Sequence, residues 1–468
     1  MSATSGLNPA RRRVIKLLTT RIAKAPRRIP VALQLILGLF ILITIGTALL
    51  LIPGSATRQL TFIEALFTAT SAAAVTGLSL FPVSAELTAW GQIVLLLLVQ
   101  IGGVSLIVSV LLFFRLIGRQ VSLADRLAAT YALGLDSPRQ ITRVMVRATV
   151  LMLTIEGIGA IVLFLHWRIS GIVPASQAGF YAIFHAITAY CNAGFDLFYG
   201  LPQYPEGIPT DPLTLIILST LIVTGGLGIP IYMDLIYRRK LNKLTLHTRI
   251  TIRVSILLIL IGWIGLLISE FRHGGVLSES AALHAILLAG FQSVSARTAG
   301  FPGLPGFELL RFDSILLLMM LMFIGSAPAS TGGGITTGTF SVLWMAVISY
   351  ARGFRNIHIE NRSLPNTLLL RAAVVFIISL TVVLLATWLI LLTNDFELSE
   401  TMFEVVSAYS TTGLSLGITS GLNNFGLLII IVTMFCGRLG AITIMIAMIG
   451  KAQRERLIEY PEESILVG

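Results

Sequence analysis

Apolar residues along this chain come in runs of two lengths. Long runs occupy 31–53, 88–114, 146–167, 212–236, 252–270, 314–350, 371–393 and 423–450. Each suffices to cross a bilayer, which takes about 20 residues. Short runs at 62–74, 178–190, 281–295 and 399–409 lie between the members of successive pairs and cannot span. The chain therefore reads as span, half-helix, turn, span, four times over. Backbone that leaves the helix at membrane depth persists only inside protein or against a water-filled cavity. The pattern predicts an all-α membrane protein of four span–pore-helix–span repeats. It has eight transmembrane helices and four re-entrant half-helices around a central pore.

Each half-helix runs into a glycine turn. The four turns are Ala74-Val75-Thr76-Gly77-Leu78, Cys191-Asn192-Ala193-Gly194-Phe195, Arg297-Thr298-Ala299-Gly300-Phe301 and Ser410-Thr411-Thr412-Gly413-Leu414. Their glycines are 117, 106 and 113 residues apart by subtraction, too long a period for a solenoid unit. With the glycines aligned, Phe67, Phe184 and Phe403 coincide ten residues upstream and Glu64 coincides with Glu400, while Phe291 is one residue out of register. A single glycine in a membrane helix usually serves close packing; four in matching context do not. Glycine lets a turn adopt positive φ so that successive carbonyls face inward. A ring of carbonyls replaces the hydration shell of a dehydrated cation. Half-helices entering from outside also point their partially negative C-terminal ends at the membrane centre. The candidate cation-binding residues are Val75, Thr76, Gly77, Asn192, Ala193, Gly194, Thr298, Ala299, Gly300, Thr411, Thr412 and Gly413. Asn192, Thr298 and Thr411 either add side-chain oxygens or brace the loops, and Asp196 is either an outer-mouth attractor or a solvated loop acid.

Charge fixes the expected topology. Of 33 basic residues, 27 fall before the first span or in 115–147, 238–253, 352–371 and 451–456. The positive-inside rule puts those segments in the cytoplasm, and with them both termini; the intervening loops are acidic and would concentrate cations outside. The organisation is thus a basic cytoplasmic N-terminal arm (1–30), repeat 1 (31–114), a linker (115–145), repeat 2 (146–236), a linker (237–251), repeat 3 (252–350), a linker (351–370), repeat 4 (371–450) and a cytoplasmic tail (451–468). The net charge of +11 accordingly reports topology and not nucleic acid, and the arm is expected to lie on anionic lipid. The chain is 55% hydrophobic and 12% charged, against about 25% charged in soluble domains.

Three features break the fourfold pattern. The last span of repeat 3 contains Gly325 to Gly338, with Ser326, Pro328, Ser330, Thr331, Gly332, Gly333, Gly334 and Thr336. Such a run does not form a plain helix and reads as a flexible gate below the turns. Arg438 interrupts the last span, and an intramembrane charge defaults to a functional site; the hydroxyls and carbonyls of 325–338 are its expected partners. Arg297 precedes Gly300 by three residues and is expected to pair behind its loop with an acid or to point outward. Glu156 lies mid-span without an assigned role. Cys191 and Cys436 form no disulfide framework, the six histidines are scattered, and Gly332-Gly333-Gly334 lacks the strand and Lys-Ser/Thr of a nucleotide loop. No nucleophile–base set points to an enzyme, and no cofactor is expected on this chain.

The fourfold plan, the four glycine turns, Gly325 to Phe340 and Gly437-Arg438-Leu439-Gly440 resemble the Trk/Ktr/HKT superfamily of potassium transporters. Val75-Thr76-Gly77 also resembles, in composition only, the Thr-Val-Gly run of potassium-channel filters. The resemblance runs from about residue 30 to 450 and is greatest to the bacterial KtrB-type membrane subunit. It implies potassium-selective uptake across the bacterial plasma membrane, since all four turn glycines are present; a serine at the first would imply Na⁺ permeation. It further implies a homodimer with one pore per subunit, a cytoplasmic ring of nucleotide-binding Ktr-type regulatory subunits, possession of nucleotide only through that ring, Na⁺ activation, and gating by 325–338 beside Arg438. Family members often carry lysine after Gly-Gly-Gly-Ile, where this chain has Thr336. The rival readings are a Na⁺-permeable or Na⁺-coupled cation transporter of the same fold, a secondary transporter with broken helices, and a membrane enzyme.

Overall fold

The computed structural model describes residues 31–104, 141–238, 244–354, 356–360 and 362–440. The N-terminal arm, most of the 115–145 linker, the ends of the 88–114 and 423–450 spans and the C-terminal tail lie outside the described residues.

The helices follow the apolar runs. Repeat 1 contains α1 (Val31–Leu50), the half-helix α2 (Phe62–Ala73), a single turn α3 (Val83–Glu86) and α4 (Ala89–Gly103). Repeat 2 contains α5 (Ile141–Ser170), the half-helix α6 (Ala178–Tyr190), α7 (Pro212–Gly226) and α8 (Ile229–Arg238). Repeat 3 contains α9 (Leu246–Glu270), the half-helix α10 (Ala282–Ser295), α11 (Phe312–Phe323) and α12 (Thr337–Ala351). Strands β1 (Ile357–Ile359) and β2 (Arg362–Leu364) form a small antiparallel hairpin before α13 (Asn366–Leu391), the half-helix α14 (Leu398–Ser410) and α15 (Asn424–Leu439). Starts are set by side chains that accept the first free backbone N–H groups, including Thr61, Thr88, Thr245, Asn423 and Asp211, the last followed by Pro212.

By length and hydropathy, α1, α5, α9 and α13 can each cross a membrane, and α7 with α8 makes a fifth candidate bent by 90°. The expected straight span over 212–236 is therefore two helices. Gly225, Gly226 and Gly228 precede the bend, Gly228 has φ +83, and Pro230 opens α8. A positive φ ends α7 and the proline suits only a helix start. The 314–350 run breaks where the sequence indicates, between α11 and α12.

The half-helices form the centre. Phe67, Phe184, Phe291 and Phe403 are all fully buried. Each helix that follows a half-helix packs on the half-helix of the next repeat: α4 on α6, α7 on α10, α11 on α14, and α15 back on α2. That cycle closes the bundle. The outer flanks are apolar and bare, with Leu153, Ile158, Ile161, Ile256 and Ile264 each more than half exposed. An extended apolar flank of this kind faces lipid in an all-helical membrane protein.

Candidate functional site: a ring of four glycine turns

The half-helices end in one conformation. Val75, Asn192, Thr298 and Thr411 have φ of 58, 59, 74 and 50, and Gly77, Gly194, Gly300 and Gly413 have φ of 93, 64, 83 and 96. Left-handed residues at alternate positions turn successive carbonyls toward one side. A non-glycine residue at positive φ is uncommon, and four at matched positions indicate a shared functional constraint. Thr76 N, Ala193 N and Thr412 N donate back to Ser71 O, Thr188 O and Ser407 O at 2.7, 2.8 and 2.9 Å. In repeat 3 Ala299 N and Gly300 N both donate to Ser295 O, at 2.8 and 3.2 Å. The accepting serine lies five residues before Gly300, against six for Ser71 before Gly77 and Ser407 before Gly413, in step with Phe291 standing one residue out of register.

The four turns meet. A Cβ built on Gly77 would lie 2.3 Å from the Ala193 carbonyl oxygen, one on Gly194 2.7 Å from Ala299 O, one on Gly300 2.0 Å from Thr412 O, and one on Gly413 2.2 Å from Thr76 O. The contacts run in the order of the repeats and close on themselves. The ring has no room for a side chain at any of its four glycines. All four carbonyl-bearing residues are buried, and four half-helix C-termini converge there, an arrangement suited to a dehydrated cation.

The side chains two residues before the glycines do not bind one another uniformly. The Asn192 amide fits with its nitrogen toward Ile222 O and Ala189 O, at 3.2 and 3.0 Å, and its oxygen toward the Thr298 hydroxyl. Thr298 Oγ1 lies 3.4 Å from Ser326 Oγ, and Thr411 Oγ1 is buried without a hydrogen-bond partner among the described residues.

Beneath the turns of repeats 3 and 4 lies the break between α11 and α12. A Cβ on Gly332 would fall 2.1 Å from Thr298 Oγ1, and one on Gly333 2.6 Å from Thr411 Oγ1. The triple glycine is thus what lets the chain pass directly under these two residues. Ser326 Oγ and Ser330 Oγ share a hydrogen bond of 2.7 Å. Ala327 N donates to Gly226 O and Ala329 O accepts from Ile229 N, which fastens the break to the α7–α8 bend. Thr336 is the N-cap of α12, accepting from Thr339 N at 3.4 Å. A lysine there could not accept that bond, so the departure from the usual residue has a local structural use.

Arg438 is buried at the end of α15 and donates to Thr331 O in the break and to Gly102 O at the end of α4. Arg297 is also buried. It faces no acid among the described residues: it donates to Gly325 O at 2.9 Å and Ser255 O at 3.2 Å. The two arginines hold the break at Gly325 and at Thr331, one on each side of the Ser326–Ser330 bond.

A family model described as TrkH, cation transport protein, matches residues 16–460. The chain belongs to the TrkH family. Among its relatives, the Ktr system potassium uptake protein B of Bacillus subtilis (strain 168) is 33% identical over 437 residues, 93% of this chain and 96% of that protein. The potassium/sodium uptake protein NtpJ of Enterococcus hirae is 32% identical over 444 residues, covering 92% and 96%. The solved potassium transporter TrkH from Vibrio parahaemolyticus shares the fold, with a TM-score of 0.71 at 19% identity over 91% of this chain and 86% of that one. This TrkH-family chain is a membrane cation transport protein and not an enzyme.

Several groups of the TrkH-family chain sit differently from the sequence reading. Asp196 is neither an exposed attractor nor a solvated acid: it is buried and hydrogen-bonded to His185 Nε2 at 2.9 Å, inside a cage that includes Trp167 and Phe198. Glu156 meets no base among the described residues. Its carboxyl accepts from Gln100 Nε2 at 2.9 Å and from Cys191 Sγ at 3.6 Å. Sequence reasoning gave no structural role to Gly102, Gly225 or Gly437. A Cβ on each would lie 2.2, 1.8 and 1.9 Å from the carbonyls of Ala73, Tyr190 and Tyr409, each four residues before a ring glycine. Their signal was present as a second glycine following the first in three repeats, at 25, 31 and 24 residues by subtraction.

Proposed function

We propose that this chain is the pore-forming subunit of a potassium uptake system. K⁺ passes through the ring at Gly77, Gly194, Gly300 and Gly413, and the carbonyls of residues 75–77, 192–194, 298–300 and 411–413 replace its water. The observation that carries the reading is the closed cycle of four left-handed turns at the ends of four half-helices. The names of the relatives, potassium uptake protein B above all, support the same ion. Selectivity arises because an oxygen cage of fixed number and spacing compensates one cation's dehydration better than another's. Conduction is channel-like and blocked from below by Gly325–Gly338, with Arg297 and Arg438 holding that segment shut by its own carbonyls.

In this reading eight helices span the bacterial plasma membrane and both termini are cytoplasmic, as the basic segments require. Two copies associate, each with its own pore, and a ring of nucleotide-binding Ktr-type subunits acts on the break through the basic cytoplasmic face. Na⁺ acts as an activator. A second reading, Na⁺ passage through the same ring, is favoured by the similarity to a potassium/sodium uptake protein.

The test is growth of a K⁺-uptake-deficient bacterium on limiting K⁺, with and without a Ktr-type regulatory subunit. Rescue requiring both is the expected result. Failure of both, with the protein in the membrane, overturns K⁺ uptake, and a Rb⁺ against Na⁺ flux comparison then decides for or against Na⁺ passage.

A further inference from the structure

An open cleft of about 480 Å³, the space at its mouth included, lies between α4, α5, the α7–α8 bend and the α11–α12 break. Ala148, Leu151 and Met152 of α5 line it, with Gly228 and Tyr232 of the bend and Thr331 of the break. The α5 wall adjoins the bare apolar flank, since Val150 and Leu153 are 57% and 55% exposed. Whatever enters from that side comes from the bilayer core and is apolar.

The same helix carries a polar anchor. Arg143, Arg147 and Leu151 are four residues apart, so they form one stripe, each about 5–6 Å from the next. Both arginines are exposed, and neither pairs with an acid among the described residues. Arg147 lies over the Tyr237 ring at 5.6 Å and donates to its hydroxyl at 2.5 Å. Tyr237 belongs to α8, which turns 90° away from α7. Two guanidinium groups, one and two turns along α5 from Leu151 and without an acid among the described residues, complement an anionic headgroup with a hydrocarbon tail.

We propose that this cavity seats one acyl chain of an anionic phospholipid whose headgroup rests on Arg143 and Arg147, and that its occupancy biases the break. The link is Thr331: its backbone carbonyl receives Arg438, and the same residue forms part of the cavity wall. This second half rests on the reading of Gly325–Gly338 as the gate.

The binding test uses the full chain in detergent with phosphatidylglycerol or phosphatidylcholine, counted by native mass spectrometry. Wild type is expected to hold phosphatidylglycerol about thirtyfold more tightly, as two guanidinium contacts of about 1 kcal/mol each imply. Arg143→Gln with Arg147→Gln removes the preference, and Ala148→Phe weakens both lipids by filling the cavity. Equal binding of the two lipids by wild type overturns the site, as does binding unchanged in both variants. Dissociation of a dimer by Ala148→Phe, without a change in bound lipid, means a second copy covers the cavity and likewise overturns it. In vesicles, Rb⁺ flux should differ about threefold or more between the two lipids for wild type and be indifferent to lipid in Ala148→Phe. Lipid-insensitive flux beside normal lipid binding removes the link to the break. No flux in any vesicle removes the transport reading, while the binding result still decides the lipid site.

Discussion

The four turns and the four helices that follow them recur in the same order along the chain, yet the turns match closely and the helices do not. The turns are close to identical, with left-handed residues at matched positions and each glycine against the next repeat's carbonyl. The following helices share little below the ring. Helix α4 ends at Gly103, α7 bends by 90° into α8, α11 stops for a stretch without helix, and α15 ends at Leu439, one residue past Arg438, with Gly440 at φ +75. Gly102-Gly103 and Gly225-Gly226 correspond to Gly437-Arg438, so the arginine stands where two repeats have a second glycine. A ring whose members touch in a cycle must keep its members equal, because one enlarged turn displaces the rest. A blocking element has no such constraint and needs to be built only once. Symmetry thus marks the residues that act together, and its loss marks those that act alone.

The equality of the turns is the part most open to breakage. Alanine at any ring glycine puts a methyl group within 2.7 Å or less of a carbonyl oxygen, at a φ that disfavours it. Each of the four single variants should weaken growth rescue on limiting K⁺, and one that matches wild type would break the equivalence. Gly77→Ser is expected to admit Na⁺, lowering the K⁺/Na⁺ permeability ratio by about tenfold or more, equal to ~1.4 kcal/mol. An unaltered ratio would mean that the first turn does not line the ion path.

The unequal part comes next. Arg438→Gln loses two hydrogen bonds from a charged donor, each worth about 1.5–3 kcal/mol, and frees Thr331 from α4. Flux without the regulatory subunit should rise by about tenfold, and Arg438→Lys should restore part of the closure. Flux that stays at the wild-type level in Arg438→Gln would separate the arginine from gating.

Much of this was legible in the residues, and what was not has identifiable causes. The second half-helix was expected at 178–190 and is observed at Ala178–Tyr190, because short apolar runs bounded by turn residues leave little freedom. The four turns were legible by repetition. The α7–α8 bend was not, because Gly225, Gly226 and Gly228 look like the packing glycines common in membrane helices. The β1–β2 hairpin was missed because its strands are three residues each; its turn is held by Glu360 reaching Arg249 and Arg253 of α9. The partners of Arg297 were out of reach for another reason. Sequence suggests acids as partners for a buried arginine, yet a broken helix offers unpaired carbonyls that no pattern of side chains reveals.

Arg297 sharpens the comparison more mildly than Arg438, because it grips the upper edge of the break and not its middle. Arg297→Met removes the bonds to Gly325 O and Ser255 O and leaves a similar volume. The expected cost is about 2–4 kcal/mol, read as a lower unfolding midpoint in detergent. An unchanged midpoint would mean that α11 ends where it does without this support.

The smallest effect is expected at the outer end, where symmetry is also lost. Helices α2 and α14 begin with reciprocal caps built on Glu64 and Glu400, whereas α6 and α10 have no side-chain cap. Glu64 lies at the rim, ahead of the buried part of α2, and Arg58 in the preceding loop donates to it at 2.7 and 3.0 Å. The Arg58 hydrogen bond, with help from Thr61, holds the Glu64 carboxyl down to about 2 from an ordinary 4.5. A depressed carboxyl adds stability above its ordinary value, and that contribution disappears as pH falls from about 4.5 toward 2. Because Arg58 is largely solvated, Arg58→Ala should cost only about 0.2–1 kcal/mol at neutral pH, with less acid sensitivity over that window and unchanged ion flux. If Arg58→Ala instead altered flux as strongly as Arg438→Gln, broken symmetry would not by itself locate the gate, because an inert rim contact would carry the same mark.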